Sequence, residues 1–351
     1  MKEIQVGVVG YGTIGKRVAD AVNAQEDMKL VGVADVKPGR LLSVALLRDY
    51  AVFAPKEVRR SMASHGIDIA GTVDDLLAQV DVVVDAAPKG ITASNIPRYE
   101  EHGIKYIIEG GEKHSLAGRS FSTFGNYAEN IGKDKTRVVS CNTTGLTRIY
   151  RAIDTAFGVE HIGVYLVRRG SDPVNGDKGP SNAVVPVLGE SHHYHDLVTV
   201  IPGIAPGCSM AVADPHTLSH VHMLDLTLSR EPTREDVYAA LDGFPRIRTV
   251  DGEADGMGDT AKIAEFYQDI GRLRGDHPEV TAWKEGVIVE GKRMRMPYDV
   301  HMVSIPIPEN VDAIRALAGN AGAWESAKMT DRALDKFLPM FSKPDLAYWG
   351  R

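Results

Sequence analysis

The 351-residue sequence contains only two cysteines, Cys141 and Cys208. It also has no apolar run near the ~18 residues that a membrane-spanning helix needs. It opens on Met1-Lys2-Glu3 and passes directly into an apolar segment, so we expect no signal peptide. We therefore expect a cytoplasmic protein with reduced thiols and no membrane partner.

The sequence also lacks an excess of positive charge, internal repeats and low-complexity segments. Its formal net charge is -7, which argues against nucleic acid as the main partner. The length suits two domains. These limits leave a globular protein that acts on small molecules as the simplest expectation.

A glycine-rich turn follows the first predicted strand, residues 4–9, and leads into a predicted helix from residue 16 to 22. Its spacing matches the dinucleotide fingerprint, in which three glycines permit a tight turn, a close approach of pyrophosphate and helix–strand packing. The pyrophosphate then binds at the helix N-terminus. The predicted cofactor contacts in this turn are Gly10, Tyr11, Gly12, Thr13, Ile14 and Gly15.

Asp35 ends the second predicted strand, where a carboxylate accepts hydrogen bonds from ribose hydroxyls and repels a 2′-phosphate. Asp35 therefore favours NAD. Lys37 and Arg40 lie close by in the sequence and leave NADP open. The alternative interpretation of Asp35 is a turn residue in front of Pro38.

Strands and helices alternate up to Cys141, which predicts a Rossmann-type, doubly wound parallel sheet. Ligands bind beyond the carboxyl ends of such strands, so we expect Pro88 and Gly111 beside the cofactor. After Cys141 the strands become longer and more alternating, which predicts an α+β domain with a largely antiparallel sheet. We assign residues 1–140 and 303–351 to an NAD(P)-binding domain, with C-terminal helices packing back on it, and 141–302 to a catalytic domain.

Cys141 stands at a strand-to-helix junction, with the helix predicted over residues 144–156. A thiol at a helix N-terminus faces the positive end of the macrodipole, which favours the nucleophilic thiolate. The alternative interpretation is a small buried core residue.

Three clusters after Cys141 carry side chains suited to anions or to proton transfer. Plain alternatives exist, because paired arginines often form a solvated surface and neighbouring histidines often simply pack. A histidine loop without cysteine is a weak metal signal, so we predict no metal site. The clusters are Arg168 and Arg169, followed by Lys178; the loop with His192 and His193; and His220 with His222 on one face of a strand.

Together these segments resemble the archaeal-type (type II) phosphorylating glyceraldehyde-3-phosphate dehydrogenases, from residue 10 to about residue 313. The motifs that carry the resemblance are the glycine turn, Gly110-Gly111-Glu112-Lys113, Ser140-Cys141-Asn142-Thr143-Thr144, Arg168-Arg169, Lys178-Gly179-Pro180, Ser191-His192-His193 and His220-Val221-His222. Members of that family commonly carry Lys and Thr where this chain has Ala34-Asp35-Val36, and they often accept NADP. This difference in sequence agrees with the preference for NAD that Asp35 predicts.

The resemblance implies that Cys141 is the nucleophile and that His220 is the general base, with His222 as the alternative. It also implies glyceraldehyde 3-phosphate and inorganic phosphate as substrates, 1,3-bisphosphoglycerate as product, a role in glycolysis or gluconeogenesis, and a homotetramer. The implied substrate and phosphate contacts are Asn142, Thr143, Arg168, Arg169, Lys178, His192 and His193.

Two other functions fit the same motifs. One is a related cysteine-dependent dehydrogenase of another aldehyde or semialdehyde, and the other is a non-catalytic NAD-sensing regulator.

Overall fold

The computed structural model describes residues 3–109, 111–171 and 178–335, and these divide into two compact units. Residues 3–140 and 307–335 form the first unit, and the described residues between 141 and 306 form the second. The chain returns to the first unit at Ile307, where a helix begins, whereas we placed that return at residue 303. The predicted C-terminal segment over 336–351 lies outside the described residues.

The first unit is built on a parallel sheet. Within the described ranges it has seven strands in the order β3-β2-β1-β4-β5-β7-β6. The strands are β1 (Ile4–Val9), β2 (Met28–Ala34), β3 (Val52–Phe53), β4 (Val82–Asp85), β5 (Lys105–Ile108), β6 (Ser120–Phe121) and β7 (Lys135–Val138).

Strands β1 and β4 lie side by side at the centre of this sheet and are rich in valine. Such strands are buried on both faces by helices, as parallel sheets require. The strand order reverses between them, since β2 follows on one side of β1 and β4 on the other. Ligands bind beyond the carboxyl ends of strands at such a reversal.

The helices of residues 3–140 connect these parallel strands. They are α1 (Gly15–Ala24), α2 (Arg40–Leu46), α3 (Arg59–Ser64), α4 (Val73–Leu77), α5 (Thr92–Glu101), α6 (His114–Ala117) and α7 (Tyr127–Asn130). Helix α1 buries Val18 and Val22 on one face, as its apolar spacing predicts.

The second unit is built on a mixed sheet, with eight strands among the described residues in the order β12-β13-β15-β11-β8-β10-β9 and β14 beside β15. Its strands are β8 (Val159–Arg169), β9 (Val185–Pro186), β10 (Gly207–Asp214), β11 (Ser219–Leu228), β12 (Ile247–Val250), β13 (Val280–Trp283), β14 (Ile288–Glu290) and β15 (Arg293–His301). Most pairings are antiparallel; β8 with β10 and β12 with β13 are parallel. The predicted fold class is confirmed.

The helices of the second unit are α8 (Cys141–Phe157), α9 (His193–Val198), α10 (Arg234–Asp242) and α11 (Thr260–Asp269). The chain turns at Gly291, whose φ of 58° suits glycine, and this turn separates β14 from β15. None of the helices within the described ranges combines the length and the apolar content needed to span a bilayer.

Two further helices, α12 (Ile307–Ala318) and α13 (Ala323–Leu334), complete the first unit. Arg315 of α12 is 1% exposed and forms a hydrogen-bonded ion pair with Asp27, at 2.7 Å from both carboxylate oxygens. The same guanidinium also donates to Gln25 Oε1 at 2.7 Å, Thr330 Oγ1 at 2.6 Å and the Ser326 carbonyl at 3.2 Å. One buried cation therefore fastens α12 and α13 to the chain in front of β2.

Replacing Arg315 by Leu should lower the free energy of unfolding by about 3–5 kcal/mol, because Asp27 would lose its buried partner. Urea unfolding of the full chain measures this change. The matched control is Arg332→Leu on the exposed side of α13, which should change the free energy by less than about 0.5 kcal/mol. Equal effects of the two substitutions would contradict the assignment.

Candidate active site

The glycine turn after β1 is closely packed on two sides and open on a third. Gly10 has a φ of 87°, and a Cβ there would lie 2.7 Å from the backbone nitrogen of Ala87. A Cβ on Gly15 would lie 1.8 Å from the Gly10 carbonyl oxygen. A Cβ on Gly12 would meet nothing within 4 Å, so this position borders open space. The turn therefore has room for a ligand at Gly12 and needs glycine at the other two positions.

Donor groups at this turn fit the phosphates and hydroxyls of a dinucleotide. The hydroxyl of Thr13 is buried without a hydrogen-bond partner among the described residues. Helix α1 starts behind Ile14, which supplies no side-chain cap, and the N–H groups of Lys16 and Arg17 in its first turn donate to the Gly12 and Ile14 carbonyls. The positive end of the helix dipole favours an anion at this turn. The residues present thus fit NAD(P).

The carboxylate of Asp35 is fixed by three backbone N–H groups. Its Oδ2 accepts from Tyr11 at 2.8 Å, and its Oδ1 accepts from Val36 at 2.7 Å and Lys37 at 2.9 Å. The side chain therefore stabilises its own turn and also links β2 to the glycine turn. Lys37 and Arg40 are exposed. Of the other predicted cofactor contacts, Pro88 and Gly111 are exposed in the segments that follow β4 and β5.

In the second unit, Cys141 is the first residue of α8, whereas we predicted that the helix begins at residue 144. The thiol is partly exposed and belongs to the first helical turn, where the macrodipole favours a thiolate. Its Sγ lies 3.4 Å from Nε2 of His220. The structure therefore places His220, and not His222, against the sulfur.

The other ring nitrogen of His220 defines where its proton sits. Nδ1 accepts a hydrogen bond of 3.1 Å from the backbone N–H of Arg169, so a neutral ring carries its proton on Nε2 and donates it to the Cys141 sulfur. Burial and the neighbouring His222 and Arg169 lower the pKa of His220 well below its usual range. This geometry makes His220 a hydrogen-bond donor to a thiolate.

A buried hydrogen-bond chain extends from Asn142, the residue after the cysteine. Nε2 of His222 lies 2.9 Å from Asn142 Oδ1 and must donate, because that oxygen only accepts. Its Nδ1 then accepts from the Tyr298 hydroxyl at 3.1 Å. The amide Nδ2 of Asn142 donates to Nε2 of His193 at 3.3 Å. Both nitrogens of His222 are therefore engaged away from the sulfur.

The chain continues from His193 in the same direction. Its Nδ1–H donates to the Ser191 hydroxyl at 3.1 Å, which donates in turn to the Ser209 hydroxyl at 2.8 Å. Ser209 donates back to the Ser191 carbonyl at 2.8 Å. Burial is the main cause that lowers the pKa of His193 to about 2, and the neighbouring histidines lower it further. Each proton in this chain has one consistent position, with neutral imidazoles.

The predicted anion contacts differ in their burial and in their hydrogen-bond partners. Arg168 is half-buried, and its Nε has no hydrogen-bond partner among the described residues. Burial is the main cause that lowers the pKa of Arg168, and the charge of Arg169 lowers it further, whereas the negative charge of Cys141 raises it. Nε of Arg169 lies 3.1 Å from the Met302 sulfur. Lys178 is exposed immediately after residues 172–177, which lie outside the described ranges. Arg168 is thus a cation suited to bind an anion near the thiol.

Of the remaining predicted contacts, Thr143 is held by a hydrogen bond to a neighbouring element and His192 is exposed. The Thr143 hydroxyl donates to Asp196 Oδ2 at 2.7 Å, and His192 is exposed, with its ring stacked on His193 at 4.2 Å. Sequence reasoning missed Tyr298, because only the register of β15 against β11 brings its hydroxyl to His222. Among the residues that the structure describes, no three His, Cys, Asp or Glu side chains are arranged to hold a metal ion.

Comparison with known proteins gives strong matches along the chain. Residues 140–269 match the family described as the C-terminal domain of glyceraldehyde 3-phosphate dehydrogenase, and residues 4–111 match the N-terminus of dihydrodipicolinate reductase. The chain is 43% identical to glyceraldehyde-3-phosphate dehydrogenase of Hyperthermus butylicus over 95% of its own length and 98% of that protein. The enzyme of the same name from Methanothermus fervidus is 41% identical over 94% of this chain and 98% of its own length.

The chain belongs to the archaeal glyceraldehyde-3-phosphate dehydrogenase family. The chain is also 42% identical to glyceraldehyde-3-phosphate dehydrogenase of Halobacterium salinarum, over 94% of its own length and 99% of that protein. The predicted family is confirmed, and with it an NAD(P)-dependent dehydrogenase with an NAD(P)-binding first domain. The individual roles of the site residues stay predictions.

The buried neutral histidines predict a loss of stability in acid. Burial lowers the pKa of His222 to about 3 and that of His193 to about 2, whereas both are near 6.5 in the unfolded chain. The unfolded state therefore binds more protons between about pH 6.5 and 3. The free energy of unfolding should fall by about 1.4 kcal/mol per pH unit for each of these residues below pH 6.5. Urea unfolding at several pH values measures the slope.

The control for this slope is a pair of substitutions. His222→Gln keeps a donor and an acceptor but removes one titrating ring, so the slope should become shallower by about 1.4 kcal/mol per pH unit. His65→Gln removes an exposed ring and should leave the slope unchanged. An unchanged slope in His222→Gln contradicts the assignment of a neutral His222.

Proposed function

We propose that this chain oxidises glyceraldehyde 3-phosphate in the presence of inorganic phosphate, through a thioester on Cys141. The observation that supports this most directly is the 3.4 Å contact between Cys141 Sγ and His220 Nε2 at the start of α8. Membership in the family supports the substrate.

The first step is attack of the Cys141 thiolate on the aldehyde carbon. The sulfur forms a bond to carbon while the carbonyl electrons move to oxygen, which gives a hemithioacetal alkoxide. The helix N-terminus and the Nε2–H of His220 stabilise the thiolate before attack. Afterwards the same N–H, and the backbone N–H groups at the start of α8, are suited to hold the alkoxide oxygen.

This role differs from the general base that the resemblance implies for His220. A base needs an unprotonated Nε2, which places the proton of a neutral ring on Nδ1. There it would face the backbone N–H of Arg169, at an N–N distance of 3.1 Å. Because an alkoxide releases hydride without giving up a proton, a donor at Nε2 is sufficient for the oxidation step.

Bound NAD(P) supplies the acceptor for the hydride that leaves the hemithioacetal carbon. The chain would hold this cofactor at the glycine turn, with the Thr13 hydroxyl and the start of α1 as donors. We propose NAD as the preferred form, because three N–H groups fix the Asp35 carboxylate and prevent it from swinging away from a 2′-phosphate. Lys37 and Arg40 are the groups that would favour NADP.

Phosphorolysis completes the cycle. A phosphate oxygen attacks the thioester carbon, the carbon–sulfur bond breaks, and the thiolate returns with release of 1,3-bisphosphoglycerate. The half-buried guanidinium of Arg168, with its free Nε, is suited to bind phosphate oxygens in this step. Arg169, Lys178 and His192 are further candidates for substrate and phosphate contacts, and we give His193 a supporting position behind Asn142.

We further propose a cytoplasmic homotetramer. An apolar row on one face of the second-unit sheet supports self-association: Tyr165 pairs with Met210 on one side and Met223 on the other, and these side chains are 40%, 57% and 40% exposed. The two free cysteines agree with a reducing compartment. A monomeric sedimentation coefficient would contradict the tetramer, and cell fractionation tests the location.

Replacing Cys141 by Ser should reduce phosphate-dependent reduction of NAD by glyceraldehyde 3-phosphate at least about 1,000-fold, because a serine hydroxyl is not ionised at neutral pH. Cys208→Ser, at an exposed position of β10, is the matched control and should keep wild-type activity. Near wild-type activity of Cys141→Ser overturns the nucleophile assignment. Turnover that needs neither phosphate nor arsenate would favour a dehydrogenase of another aldehyde.

Replacing Asp35 by Asn should lower the ratio of KM for NADP to KM for NAD about tenfold, because the amide has nearly the same volume but no charge to repel a 2′-phosphate. Initial rates with both cofactors measure the ratio. The Lys37→Met variant is the comparison. If Lys37 binds a 2′-phosphate, this substitution should raise KM for NADP and leave KM for NAD unchanged. An unchanged ratio in Asp35→Asn contradicts the NAD preference.

A further inference from the structure

Asp85, the last residue of β4, is a fully buried carboxylate that the proposed function does not use. Its Oδ1 accepts from the backbone N–H of Ala87 at 2.9 Å and from the Thr92 hydroxyl at 3.1 Å. Its Oδ2 accepts from Asn95 Nδ2 at 2.9 Å and from the Tyr99 hydroxyl at 2.7 Å. Four donors therefore converge on one carboxylate.

These bonds join the segment after β4 to helix α5, which carries Thr92, Asn95 and Tyr99. The backbone N–H of Ala86 donates to the Val9 carbonyl at 2.8 Å, so the segment is also joined to the end of β1. Burial and the Asp85 charge raise the pKa of Tyr99 far above its usual range, which keeps its hydroxyl a donor.

A second carboxylate holds the same segment from the other side. Glu112 is 7% exposed, and its Oε1 accepts from the backbone N–H of Gly90 at 2.6 Å. Its own carbonyl accepts from the buried guanidinium of Arg137 at 2.9 Å, and Arg137 is fixed by Ser120 Oγ at 2.8 Å. Residues 86–90 are thus held at Ala87 by Asp85 and at Gly90 by Glu112.

The held segment forms one wall of the glycine turn. A Cβ on Gly10 would come within 2.8 Å of the Ala86 carbonyl carbon and oxygen and within 2.7 Å of the Ala87 nitrogen. The backbone of residues 86–87 therefore lies directly against Gly10 and leaves no room for a side chain there, since packed backbone does not yield without a shift. A displacement of residues 86–88 therefore changes the space in which the dinucleotide would lie.

We propose that Asp85 and Glu112 are positioning residues that keep residues 86–90 in the shape that the nicotinamide cofactor requires. The proposal rests on the proposed cofactor site at the glycine turn. Loss of either carboxylate should weaken cofactor binding and leave turnover at saturating cofactor nearly unchanged, because neither residue belongs to the cysteine–histidine site.

The two residues allow substitutions that separate position from mere bulk. In Asp85→Asn, the new Nδ2 would face the donors of Asn95 and Tyr99, so the convergence is broken at nearly constant volume. Adding Asn95→Asp gives the amide introduced at position 85 a carboxylate to which it can donate. The hydrogen bond between the two positions is then restored with donor and acceptor exchanged. Glu112→Gln keeps a side-chain oxygen for the Gly90 N–H, whereas Glu112→Ala removes it.

The experiment is calorimetric titration of the full-length protein with NADH, together with KM for NAD and kcat. Asp85→Asn and Glu112→Ala should each raise the dissociation constant of NADH and KM for NAD about tenfold or more, with kcat within about twofold of wild type. Glu112→Gln and the double variant Asp85→Asn with Asn95→Asp should return to within about threefold of wild type. Asp134→Asn, an exposed carboxylate in front of β7, is the matched control.

The outcomes separate this inference from the function on which it rests. A wild-type protein that binds neither NADH nor NADPH contradicts the proposed cofactor site itself. A wild-type protein that binds NADH, with equal affinity in folded Asp85→Asn and Glu112→Ala, overturns the positioning role. A fall in kcat without a change in KM also overturns it. If Asp85→Asn does not fold, the comparison of Glu112→Ala with Glu112→Gln decides.

Discussion

The proton on Nε2 of His220 is the feature on which the proposed catalytic site depends. It is fixed by a backbone group, the N–H of Arg169, which occupies Nδ1 from the neighbouring strand. A backbone donor does not titrate, so the assignment holds wherever the ring is neutral. The register of β11 against β8, in which Val221 pairs with Val167, brings the ring to this position. The start of α8 then places the sulfur against the remaining nitrogen.

Buried, neutral polar groups extend this arrangement behind the reacting atoms. His222, Asn142 and His193 use their donors and acceptors on one another, so the first turn of α8 is held by directional bonds as well as by packing. The nucleotide unit uses a related device, since Asp35 and Asp85 each gather several donors around a carboxylate. In both units polar groups fix the backbone beside the proposed ligand sites through directional hydrogen bonds.

Much of this was predictable from local patterns. The glycine spacing indicates a dinucleotide turn because only glycine tolerates the close approaches at positions 10 and 15. The cysteine followed by an amphipathic helix indicates a thiol near a helix N-terminus. The helix nevertheless begins at Cys141, three residues before the predicted start, because the polar residues of its first turn carry no apolar periodicity and find their partners in distant elements.

The sequence by itself determined the class of fold, the glycine turn and the place of Cys141 near a helix N-terminus, because these depend on local spacing and residue type. Only the tertiary structure decided that His220 faces the sulfur, that Tyr298 and His193 face inward on the supporting chain, and that Asp85 and Glu112 hold residues 86–90. These arrangements depend on strand register and on contacts between residues far apart in the sequence. A shift of one residue in a strand turns every side chain to the opposite face, and no local pattern records it.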